Sequence, residues 1–183
     1  MSKITTKQIV FSAMAIALAT VISVAIKLPS LPNGGSTTLF SMLVICLIGY
    51  WYGPKVSILA AIAYGILQFI VEPYVVHPLQ VILDFPLAFG ALGLSGFFAD
   101  SKHGLVKGFL VGTTGRFIVH CISGVIFYTT YVGDFVGNVT AIWAGILYNM
   151  TYIVPEVILT LILLALPSVQ KAMGELKKLA VNE

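Results

Sequence analysis

Long apolar runs, following one another with little between them, constrain this chain more than any other feature. Six can be drawn, over residues 6–27, 38–52, 54–72, 78–98, 105–129 and 139–166. A helix needs roughly 20 residues to cross the hydrocarbon core of a bilayer. In lipid every backbone polar group must be satisfied within the protein, which admits helices and closed barrels only. Runs of this length without strict alternation predict helices. The expected fold is therefore all-α: a polytopic six-helix transmembrane bundle, forming one domain over residues 1–183. Composition agrees, with 58% hydrophobic and 9% charged residues, where a soluble domain carries about 25% charge. The second run, at about 15 residues, is short for a span and reads as tilted, stretched by its flanks or partly outside the core.

The connections and the lysines set a topology. Leu28-Pro-Ser-Leu-Pro-Asn-Gly-Gly-Ser36 is rich in turn formers. Tyr50-Trp51-Tyr52-Gly53-Pro54 reads as a tight interfacial corner, and Pro73 and Pro78 frame the third loop. With the N-terminus in the cytoplasm, Lys3, Lys7, Lys55, Lys102, Lys107, Lys171, Lys177 and Lys178 all fall inside, and Lys27 alone falls outside. This positive-inside bias places both termini in the cytoplasm. Lys3 and Lys7 precede an apolar run that continues to about Ile26, long enough to span, so the first segment reads as a retained helix.

Two sets of small residues have helix-packing spacing. Gly104, Gly108 and Gly112 form a double GxxxG that reads as internal packing. Ala13, Ala15, Ala17 and Ala19 form two overlapping pairs on the first helix, suited to internal packing or to a partner protein. Cys46 and Cys121 lie in apolar runs and imply no disulfide framework.

Asp84, Arg116, His120 and Glu156 interrupt the apolar runs. A charge at membrane depth costs roughly 2.5–3.5 kcal/mol even on lenient scales, so these residues mark a pathway, a site or an internal ion pair. At the 1.5 Å rise of a helix, Asp84 lies roughly 9 Å below the outer face, His120 roughly 14 Å and Asn149 roughly 15 Å. Arg116 and Glu156 lie lower, at matching depth, and suggest a structural ion pair.

Helical spacing aligns three polar stripes: His77, Gln80, Asp84 and Leu87; Thr113, Arg116, His120, Ser123 and Phe127; and Asn149, Tyr152, Glu156 and Thr160. The expectation is an outward-opening cavity between them, with Pro86 and Pro155 bending helices beside it. Asp84 would then lack a protein cation at its own depth unless His120 is protonated. A carboxylate beside aromatics suits an organic cation, and Tyr74, Tyr128, Tyr131, Trp143, Tyr148 and Tyr152 are available for cation–π contact or for the interfacial belt.

Other chemistries lack their motifs. GxxxxGK[ST] is absent, so P-loop ATP binding is not expected of this chain. HExxH and GxSxG are absent, and His77, His103 and His120 are too scattered for a metal site. Ser123 follows His120 by three residues, but such a serine commonly bonds its own helix, so no catalytic residue is assigned. Scattered basic residues do not suit nucleic acid.

Four stretches together resemble one family. They are Pro32-Asn-Gly-Gly-Ser-Thr-Thr-Leu39, Tyr74-Val-Val-His-Pro-Leu-Gln-Val-Ile-Leu-Asp-Phe-Pro-Leu-Ala-Phe89, Arg116-Phe-Ile-Val-His-Cys-Ile-Ser-Gly-Val-Ile-Phe127 and Tyr148-Asn-Met-Thr-Tyr-Ile-Val-Pro-Glu156. The combination resembles the thiamine-specific substrate-binding subunits (S components) of energy-coupling factor (ECF) transporters.

The resemblance implies a six-helix subunit in the plasma membrane of a bacterium that captures thiamine from outside. It also implies docking on a module of a transmembrane coupling protein and two ATPases, with no cofactor. Asp84 would face the thiazolium, His120 and Tyr74 would line the site, Tyr128 would stack on a ring, and Asn149 would bond the aminopyrimidine beside the Gly124 backbone. Tyr148 and Tyr152 complete the substrate-binding set, and the alanines of the first helix would meet the coupling protein. Some members carry Glu in place of Asp84 and Trp in place of Tyr128, and the first loop lacks a Trp that some use as a lid. The residues leave two other readings open: an S component for a related pyrimidine or thiazole compound, and a solitary proton-coupled transporter using Asp84, His120 and Glu156.

Overall fold

The computed structural model describes residues 3–26, 37–127 and 138–181. Among these the regular structure is helical, as expected. Helix α1 spans Thr6–Ala25 and begins with a capping box, in which Thr5 accepts from the Gln8 amide and Gln8 accepts from the Thr5 amide. This arrangement satisfies two of the donors that every helix start exposes.

Helix α2, Ser41–Val71, holds the second and third apolar runs. Gly53, at φ 76°, breaks its regularity just before Pro54. The first arm, Ser41–Tyr52, rises only about 18 Å. Every residue from Ser41 to Gly49 is buried, so this arm is walled by protein rather than by lipid. Its shortness follows, because an arm enclosed by protein need not match the bilayer.

Helix α3 runs over Pro78–Phe98 and is irregular. A π-helical turn at Leu83–Leu87 contains Asp84 and Pro86, and the helix tightens to a 3₁₀ form over Ala91–Phe98. Proline supplies no N–H for the helical ladder, and a π-helical turn is where such a ladder is locally rearranged. Helix α4 spans Gly104–Ile126 and packs on α3 through its glycines. A Cβ at Gly108 would stand 2.6 Å from the Ser95 carbonyl oxygen, and one at Gly112 would stand 3.0 Å from that of Leu92. The double GxxxG is thus an internal packing face.

Helix α5 spans Asn138–Ala165 and contains Pro155. A further helix, α6, spans Pro167–Val181, beyond the last apolar run. It is amphipathic and too polar to register as an apolar run. Ala180 anchors it by accepting from the Tyr52 hydroxyl at 3.1 Å, and Lys177 donates to the Ala99 carbonyl at 2.7 Å. Among the described residues five helices are long and apolar enough to cross a membrane, and the kink in α2 divides one of them into two arms. Ile9, Met14, Leu18, Ile70, Ile118, Leu147 and Ile162 are exposed on their outer faces, as helices facing lipid require.

The stripe on α1 divides. Ala15 and Ala19 are buried with Ser12 and Ser23, whereas Ala13 and Ala17 are exposed. Residues two apart differ by about 200° around a helix, so the four alanines cannot share one face. Ala15 and Ala19 are therefore not available to a partner. Their face turns inward, where Ser23 accepts from Gln68 of α2 at 2.9 Å.

Candidate functional site

The π-helical turn of α3 carries Asp84 toward α4. Its Oδ1 lies 3.2 Å from His120 Nδ1, and its Oδ2 accepts from Gln80 Nε2 at 2.7 Å. Gln80 is fully buried, and its Oε1 accepts the Val76 amide at 3.1 Å. One glutamine therefore ties the segment before α3 to the carboxylate. The i, i+4 spacing of Gln80 and Asp84 is the sequence signal of this contact.

On the far side of His120, Arg116 Nε donates to Nε2 at 3.3 Å. A nitrogen that accepts carries no proton, so the network assigns the neutral ring with its proton on Nδ1, donated to Asp84. The guanidinium also lies 4.1 Å from the Phe89 ring centroid. Asp84 is thus not without a cation, since a neutral histidine links it to Arg116.

The ion pair expected between Arg116 and Glu156 is not formed among the described residues. Arg116 turns up its helix to His120 and over Phe89, while Glu156 accepts the Met42 amide at 3.2 Å. Matching depth failed to predict the contact because the start of α2 lies beside Glu156 and offers unpaired amides. Arg116 still acts on Glu156 through space.

Helix α5 supplies the other wall. The Tyr152 ring meets His120 edge-on at 6.1 Å, and Tyr148 meets Tyr152 at 5.8 Å. The Tyr152 hydroxyl donates to Asn149 Oδ1, and Asn149 Nδ2 donates to the Gly145 carbonyl at 2.8 Å. An amide has two N–H groups and two carbonyl lone pairs. Among the described residues these contacts use one N–H and one lone pair of Asn149, leaving one of each. Gly124 adjoins it, since a Cβ there would stand 3.6 Å from Asn149 Nδ2.

Ser123 is buried on the same face as His120, with its hydroxyl close enough to act on the Asp84 carboxylate. Tyr74 is half-buried in the segment before α3. Burial, and then the nearby Asp84 charge, hold its phenol above the usual tyrosine range. Tyr128 and the first loop, 28–36, lie outside the described residues.

Asp84, His120, Asn149, Tyr152, Tyr148 and Gly124 are thus brought together, with Tyr74 within the field of Asp84. A separate cavity of about 520 Å³ opens at the opposite end, lined by Tyr50, Asp100, His103 and Lys177, and none of the predicted site residues lines it. No cluster of three potential metal ligands occurs among the described residues.

Comparison with known proteins places the chain. A family model described as "Thiamine transporter protein (Thia_YuaJ)" matches residues 9–174. The chain belongs to this family. It is 32% identical over 152 residues to the thiamine transporter ThiT of Bacillus subtilis strain 168, covering 75% of this chain and 77% of that protein. It is 33% identical over 89 residues to the ThiT of Lacticaseibacillus paracasei strain ATCC 334, covering 39% of this chain and 44% of that protein. A solved ThiT structure from Listeria monocytogenes shares the fold, with a TM-score of 0.62 at 20% identity over 88% of this chain and 96% of that one. As a member of the Thia_YuaJ family with apolar spanning helices, the chain is a multi-pass membrane protein.

Proposed function

We propose that this chain is the thiamine-binding S component of an ECF-type uptake transporter, and that its site is the cluster formed by α3, α4 and α5. The observation that carries the reading is Asp84. It is a carboxylate with 18% of its side chain exposed, set in a wall of tyrosine, histidine and asparagine. Thiamine is a monocation with two aromatic rings. Asp84 supplies the opposite charge, Tyr152 and Tyr148 supply ring faces, and Asn149 supplies the donor and acceptor that an aminopyrimidine edge needs. Tyr74, Tyr128 and the backbone at Gly124 complete the site by family resemblance.

The lysine distribution supports cytoplasmic termini and capture from outside. Without a P-loop motif, ATP hydrolysis falls to two partner ATPases acting through a coupling protein, and no cofactor or catalytic residue is assigned here. Of the four alternating alanines, Ala13 and Ala17 remain exposed for that coupling protein.

Mass spectrometry of ligand released from the purified chain tests the reading. Thiamine is expected, and a neutral pyrimidine in its place would contradict it. The hydrogen-bonded Asp84–His120 contact also suits a proton-coupled carrier. Robust uptake into liposomes holding this chain alone, driven by a pH gradient, would favour that reading instead.

A further inference from the structure

We propose that Glu156 is a positioning residue that caps α2 from another helix and thereby holds the segment Thr37–Met42 against the ligand wall. The inference rests on the thiamine-site reading only for its effect on ligand release. Helix α2 begins without a cap of its own, since Phe40, at φ 70°, precedes it and makes no side-chain capping bond. The first amides of a helix need acceptors when buried, and an anion there is favoured by the helix dipole. Glu156, 2% exposed, takes the Met42 amide from 114 residues away in sequence. The Ser41 side chain and the Thr38 backbone act on the same carboxylate.

One turn earlier on α5, the Tyr152 carbonyl accepts from Thr37 Oγ1 at 3.2 Å. The same Tyr152 packs on His120 and bonds Asn149 through its hydroxyl. Two successive turns of the ligand wall therefore grip six consecutive residues at the start of α2. A gripped segment holds Tyr152 in place and lengthens the residence of whatever sits against it. In this role Glu156 works as an acceptor, and its charge toward Arg116 is secondary.

The two functions are separable, because Gln keeps an acceptor oxygen and loses the charge, while Leu loses both. Hydrogen exchange of the peptide covering Thr37–Cys46 is measured in the ligand-free protein, and thiamine dissociation is followed by stopped flow. E156L is expected to speed both by roughly tenfold, the usual size of a lost cap, and E156Q is expected to stay within about threefold of wild type. Wild-type exchange in E156L, or an E156Q as fast as E156L, would overturn the proposal. Should E156L fail to fold, E156Q alone decides between cap and charge. If the wild type binds no thiamine, the proposed function fails, and the exchange comparison still decides the cap.

Discussion

Replacing Asp84 with Asn removes one charge from the proposed site while keeping its shape. A cation about 5 Å from the carboxylate, at an effective dielectric of about 20, gains roughly 3 kcal/mol. Arg116 opposes it from behind His120, and the side chain is 18% exposed, so the net effect is smaller. About 2 kcal/mol remains, which corresponds to roughly thirtyfold weaker binding. Isothermal titration of thiamine into purified D84N checks this, with a melting curve as the control for folding. The control matters because Gln80 and His120 both donate to Asp84. An amide in its place offers one oxygen and turns an N–H toward the second donor. D84E, which keeps the charge, is expected to bind within about tenfold of wild type. A folded D84N that binds thiamine within about threefold of wild type would refute the role of the charge.

The other predictions concern geometry. Q80M should keep the fold but loosen Asp84, weakening thiamine by roughly fivefold to tenfold in the same titration, the size of one buried hydrogen bond. N149L should weaken binding by roughly tenfold to a hundredfold, since it removes the proposed ligand contact and leaves the Tyr152 hydroxyl without its acceptor. The two faces of α1 should part company. A15L should destabilise the protein by about 1–3 kcal/mol through overpacking, read as a lower melting temperature. A13L should leave thermal stability and thiamine binding unchanged while reducing ATP-driven uptake when the partner subunits are present.

The bundle was legible because its signals are local and strong. Apolar length gave the spans, and Gly53-Pro54 marked the bend that divides the second and third. Helical spacing aligned Asp84, His120, Asn149 and Tyr152 correctly, because one side of a helix follows from its sequence alone. Contacts between helices were less legible. Arg116 and Glu156 were paired by depth, but rotation and the buried start of α2 sent them to different partners. Thr37 and Met42 gave no signal, since a backbone amide and a small hydroxyl in a loop look alike everywhere. The alternating alanines form two i, i+4 pairs on different sides of α1, and their spacing does not say which pair turns inward. Helix α6 was missed because its apolar residues form one stripe among lysines, not a continuous run.

The most direct measurement is an equilibrium titration of thiamine into the purified, ligand-free chain without any partner subunit, beside a neutral hydroxymethylpyrimidine of similar shape. The account predicts saturable binding at about one thiamine per chain, at least tenfold tighter than the neutral compound. D84N should narrow that gap. Equal affinity for the two compounds in the wild type, or no saturable thiamine binding at all, would contradict it.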